Sequence, residues 1–112
     1  MNVSRSDILA FLETVRSCRR AGHVRIAEKA REEAALHGWD DDDVYLFLDD
    51  LAVDDFHRRE APRHGAFDAI WVFTPDIIEP EGYLWIRLAQ QGTTVVVVVS
   101  FHPENFQPED EP

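Results

Sequence analysis

Cysteine occurs once in this chain of 112 residues. A lone Cys18 cannot close an intramolecular disulfide, and it excludes metal sites built from cysteine clusters. Long hydrophobic runs are missing too. The longest, residues 95–99, is far short of a membrane span. The opening Asn2-Val3-Ser4-Arg5 lacks the apolar core of a secretory signal. These absences point to a cytoplasmic protein with no membrane partner. Positive charge is the third scarcity: 11 basic residues against 22 acidic ones leave a net charge of −11. Affinity for nucleic acid normally comes from Arg and Lys that neutralise phosphates. A chain this acidic binds RNA only where its cations cluster on one face. The basic residues do group, at Arg16, Arg19 and Arg20, at Arg58, Arg59 and Arg63, and at Arg87. Acids gather at residues 40–43, at Asp49, Asp50, Asp54 and Asp55, and over 104–111. The plain alternative is that the acidity serves solubility alone.

What is present is enough for one core. Hydrophobic residues make up 45% of the chain, which suits a single globular domain over 1–102, followed by an acidic, proline-containing flexible tail over 103–112. Ser4 with Asp7 forms a capping box, and Ile8, Phe11, Leu12, Val15 and Cys18 recur at helical spacing up to a stop at Gly22. On that apolar stripe Cys18 reads as a buried, inert thiol. His23 to Ile26 reads as a short extended connection. An alanine-rich helix is expected over 27–36, and a third from an Asp40 N-cap through Leu51. The aspartate run 40–43 lacks the spacing of a calcium loop, so capping accounts for it better than a cation. His23, His37, His57 and His64 have no metal-ligand spacing, so neither a metal nor another cofactor is expected.

Beyond Leu51 the pattern becomes extended: a short strand over 56–59, a turn over 61–65, a strand over 69–73 stopped by Pro75, a loop over 76–82, and a hairpin ended by Pro103. Helices followed by a run of strands predict an α+β fold, with N-terminal helices on one face of a small antiparallel sheet. In the hairpin Leu84, Ile86 and Leu88 alternate with Tyr83, Trp85 and Arg87. With Gly92-Thr93 as a two-residue turn, Gln91 faces Thr94 and Tyr83 faces His102. Val95, Val97, Val99 and Phe101 then form one face of the return strand, and Val96, Val98, Ser100 and His102 the other. The mixed face of the ribbon is expected to look toward solvent or a groove, with Tyr83, Trp85, Arg87, Ser100 and His102 on it. An aromatic, a cation and an imidazole on one sheet face suit chemistry on a phosphate or a base.

The order of motifs resembles the motility quorum-sensing regulator (MqsR) toxins, the toxin half of a type II toxin–antitoxin pair. Gly22-His23-Val24-Arg25 with Ala30 is similar to that family's Gly-x-Val-Arg and following helix, and Leu51-x-x-x-Asp55-Phe56-His57-Arg58 to its Leu-x-x-x-Asp-Phe-Tyr-Lys segment. Ile70-Trp71 and Pro75 resemble its Ile-Trp strand, and Tyr83-Leu84-x-Ile86 with Val99-Ser100-Phe101-His102 its closing hairpin. The resemblance covers most of the chain up to His102. It implies a fold like the RelE-type RNases, metal-independent cleavage of single-stranded mRNA, and a neutralising antitoxin encoded nearby. The family's active positions, a Lys, a Gln, a Tyr and a final Lys, are held here by Arg58, Val72, Tyr83 and His102.

Cleaving RNA without a metal requires deprotonation of the 2′-hydroxyl, stabilisation of the charge growing on phosphorus, protonation of the leaving 5′-oxygen, and in-line alignment. His102 is the candidate acid–base group, because imidazole titrates near neutrality. Tyr83 is a candidate donor to a phosphate oxygen, and Arg58 offers a bidentate fork. Arg87 and Arg59 would bind flanking phosphates, and Trp85 would stack on a base. Each has a plainer alternative: His102 an exposed strand-end residue, Tyr83 a surface aromatic, Arg58 a partner of Asp54, Asp55 or Glu60, and Trp85 sheet cover or an antitoxin contact. His57 is expected to point away from Arg58 unless a bulge intervenes. Two functions remain open: a toxin endoribonuclease, or a catalytically impaired toxin-fold module acting through a protein partner. A third, weaker reading is an acidic mimic of nucleic acid.

Overall fold

A computed structural model describes residues 3–60, 69–74, 83–90 and 92–102. The turn at 61–65, the loop at 76–82, Gln91, both proline stops and the tail at 103–112 lie outside the described residues. The order of elements is α1 (Arg5–Ala21), β1 (Val24–Ile26), α2 (Glu28–Leu36), α3 (Asp41–Asp50), a single 3-10 turn (Val53–Asp55), β2 (Phe56–Glu60), β3 (Ile70–Phe73), β4 (Tyr83–Gln90) and β5 (Thr94–His102). The protein is α+β, with three helices against a five-stranded sheet of order β1-β5-β4-β3-β2.

The helix ends follow local chemistry. Ser4 Oγ accepts the Asp7 N–H at 3.1 Å while the Asp7 carboxylate accepts the Ser4 N–H at 3.2 Å. Asp40 and Asp43 close the same reciprocal box at 3.0 and 2.9 Å. Each box satisfies two amides that a helix N-terminus leaves open. Gly22 ends α1 at φ +79°, a conformation costly for any residue with a Cβ. No side chain caps α2. Its start is held instead by the Ala27 N–H, which donates to Val98 O at 2.9 Å.

That bond belongs to the first departure from expectation. Residues 24–26 are a strand, not a connection, and they pair in parallel with β5 at Val24↔Val96, Arg25↔Val97 and Ile26↔Val98. The sheet is therefore mixed rather than purely antiparallel. Three residues are too few to show a strand period, and the parallel partner lies some seventy positions away.

The hairpin holds the second departure. Gln90, not Gln91, pairs with Thr94, so the connection is three residues with Gly92 at φ +80° in its middle. A bulge on β5 then restores the register: Ile86 pairs with Val98 but Trp85 pairs with Ser100, leaving Val99 as the extra residue. Tyr83 still falls opposite His102. The face assignment changes, however. Val96, Val98 and Phe101 join Leu84 and Ile86 in the core, while Val95 and Val97 share the other face with Ala89 and Arg87.

One core joins the layers. Phe11 of α1 stacks on Trp71 at 4.1 Å between ring centroids, and Phe56 and Phe73 complete that cluster. Under α3, Trp39, Phe47 and Phe101 meet edge to face. Cys18 is buried as expected. Its thiol donates to Thr94 O at 3.3 Å, and burial raises its pKa more than a hydrogen bond from the Val96 backbone lowers it. No helix among the described residues is long and apolar enough to cross a membrane.

Candidate functional site

The helices cover one face of the sheet. The strands' second face carries the polar residues, and its rows follow from register. Arg25, Val97 and Arg87 form one row, Ser100, Trp85, Val72 and Arg58 the next, and His102 and Tyr83 the one beyond. Adjacent rows on one face are roughly 7 Å apart, and adjacent strands roughly 5 Å. Tyr83, His102, Arg58 and Arg87 thus share a face. His102 is placed there by its pairing with Tyr83.

Arg59 does not join them. It pairs with Trp71, and its guanidinium lies 5.3 Å over the Trp71 ring, on the helix-covered face. Strand alternation requires this once Arg58 faces the other way.

His57 does join them. Phe56 pairs with Phe73 and Arg58 with Val72, so β2 has a bulge at His57. Phe56 turns into the core while the His57 ring meets Tyr83 edge to face, 5.0 Å between centroids. The bulge is the condition under which His57 and Arg58 share a side. Arg25 joins this face too, and the sequence does not signal it, because a three-residue strand shows no period. Arg25 is exposed, and register puts it two strands from Arg87.

The centre of this face is closed rather than open. Val72 is 0% exposed, Ser100 2% and Trp85 7%. The Arg58 guanidinium sits 5.0 Å over the Trp85 ring. A base does not reach a ring so covered; Trp85 is instead the platform that orients Arg58. Arg58 also forms an ion pair with Glu60, on its own strand. Asp54 and Asp55, its other sequence neighbours, are engaged elsewhere. Asp54 lies 3.9 Å from Arg5, and the Asp55 carboxylate accepts the Ala52 N–H at 2.9 Å.

Charge is segregated between the layers. The strands carry Arg25, Arg58, Arg59 and Arg87 against a single acid, Glu60. The helix layer holds the aspartates of α3 and ties several of its own cations to acids or carbonyls. Arg19 meets Asp49 at 3.3 Å, Arg16 donates to Leu51 O at 2.8 Å, and Arg31 grips Asp41 with two hydrogen bonds of 3.0 and 2.9 Å. The Arg31 guanidinium holds the Asp41 carboxyl below its usual pKa, by hydrogen bond and charge. Among the described residues no group of three or more His, Cys, Asp or Glu is placed to hold a metal ion.

No protein-family model matches the chain, and no curated protein matches it in sequence.

Proposed function

We propose that this protein is the toxin of a type II toxin–antitoxin pair, a metal-independent endoribonuclease of the MqsR kind with a RelE-like fold, acting in the cytoplasm on single-stranded mRNA. The observation that carries the reading is the pairing of Tyr83 with His102 on a sheet face that also bears Arg58 and Arg87. The placement of charge supports it, since the strands of a chain whose net charge is −11 carry four arginines and one acid. In this reading His102 transfers a proton, Tyr83 donates to a non-bridging phosphate oxygen, and Arg58 on its Trp85 platform stabilises the growing charge. Arg87, with Arg25 beyond it, binds flanking phosphates. A small protein encoded nearby would be the antitoxin.

Expression in a bacterium tests this directly. Growth arrest rescued by the adjacent gene is expected, together with cleavage of a short labelled RNA by purified protein in the presence of a chelator, leaving a 2′,3′-cyclic phosphate. Intact RNA, with toxicity unchanged in His102→Ala, overturns the mechanism.

A second reading is favoured by two specific observations. Val72, at the position where the resemblance has a glutamine, is fully buried, and Arg58 already has Glu60 as counter-ion. Under it the fold is kept and the protein is a catalytically impaired interaction module. Such a module would bind no RNA even at low salt, whereas a nuclease binds with an affinity that falls as salt rises.

A further inference from the structure

We propose that His57 is a catalytic residue, the second imidazole of a pair that flanks Tyr83 and divides the proton transfers of RNA cleavage with His102. The inference rests on the nuclease reading and goes beyond it, because that reading provides one proton-transfer group where the reaction needs two.

The geometry is specific. Tyr83 is bracketed across the sheet. Its β5 neighbour is His102, by direct pairing, and its ring on the β2 side meets the His57 ring at 5.0 Å, nearly perpendicular. A regular β2 would send His57 to the helix-covered face. The bulge between Phe56 and Arg58 turns it back instead. Bulges of this kind re-aim side chains beside active sites. The backbone there is anchored, because the Thr74 N–H donates to Asp55 O at 2.7 Å and so ties the start of β2 to the end of β3. His57 is exposed, so a substrate phosphate could reach its ring beside Tyr83.

The groups beside His57 come from three strands. From β4 comes Tyr83, and from β5, by register, His102. From β2 itself come Arg58 and Glu60, which neutralise one another. Asp55, two residues back, has its carboxylate on the Ala52 amide.

The step balances without any co-reactant. A neutral imidazole takes the proton of the ribose 2′-hydroxyl, and the 2′-oxygen forms a bond to phosphorus. The bond from phosphorus to the 5′-oxygen breaks, and the other imidazole, protonated beforehand, gives its proton to that oxygen. The products are a 2′,3′-cyclic phosphate and a 5′-hydroxyl. Exchange with water returns both rings to their starting states.

The test is the pH dependence of kcat/KM on a short single-stranded RNA for the wild type, His57→Gln, His57→Phe and His102→Gln, each checked for an unchanged melting temperature. The wild type should give a bell. Each glutamine variant should lose a different limb of it, with a fall of about 10²–10⁴-fold near neutrality. His57→Phe keeps an aromatic edge against Tyr83 but carries no proton, and should be as slow as His57→Gln. An active His57→Phe, or a His57→Gln that keeps both limbs and its rate, overturns the inference while the nuclease reading stands. A wild type that leaves RNA intact overturns both.

Discussion

The two faces of the sheet are built from the same strands and behave differently. Under the helices the face is filled by Leu84, Ile86, Val96, Val98, Phe73 and Trp71, and its stability comes from close packing. On the other face Val72, Trp85, Ser100, Val95 and Val97 are buried, while His57, Tyr83, Arg58, Arg87 and Arg25 lie among and around them. The difference teaches that a small sheet can spend one side on holding together and display polar side chains on the other. Trp85 under Arg58 is the clearest case of a buried ring used to aim a charge.

Mutation should separate the two faces. Phe73→Ala, on the covered face, is expected to cost about 3–5 kcal/mol in denaturant unfolding, a large share of the stability of a small domain. Arg25→Ala, at an exposed position on the other face, should stay within about 0.5 kcal/mol of wild type. Equal losses would erase the comparison. Tyr83→Phe keeps the ring against His57 and removes the hydroxyl. If that hydroxyl bonds the charged phosphate, cleavage should slow by roughly 10–100-fold, the equivalent of about 1.5–3 kcal/mol, with the melting temperature unchanged. Arg25→Ala and Arg87→Ala should each weaken RNA binding and lower the slope of log affinity against log salt by about 0.7. Arg16→Ala should leave that slope alone, because its guanidinium is committed to Leu51 O.

The smallest expected effect lies in the helix layer. Asp41 has a folded pKa lowered by Arg31, so the pair's contribution to stability is complete above the unfolded carboxylate value and fades as pH falls through the folded one. In Arg31→Ala the Asp41 carboxyl, followed by NMR, should titrate higher. RNA cleavage should not change, which would confirm that this layer's ion pairs serve structure.

Features governed by neighbouring residues were legible in the sequence. Ser4 with Asp7, Asp40 with Asp43, and Gly22 are local devices, and they sit where the spacing puts them. So does the opposition of Tyr83 and His102, though by compensation: the connection is one residue longer than a two-residue turn, and the bulge at Val99 makes up the difference. Five consecutive valines carry no parity, so no pattern in 95–99 could say which of them face the core. The turn of His57 toward Tyr83 and the covering of Trp85 depend on partners across the sheet. Arg25 was hidden for the same reason, because β1 exists only through β5.

That last dependence has a consequence for when the protein becomes whole. The strand at the N-terminal end of the fold pairs with the last one, Val24 with Val96, and β5 lies between β1 and β4. During synthesis β2, β3 and β4 can pair as they emerge, but β1 has no partner until residues 96–98 have left the ribosome. Tyr83 likewise lacks its β5 neighbour until residue 102 has followed.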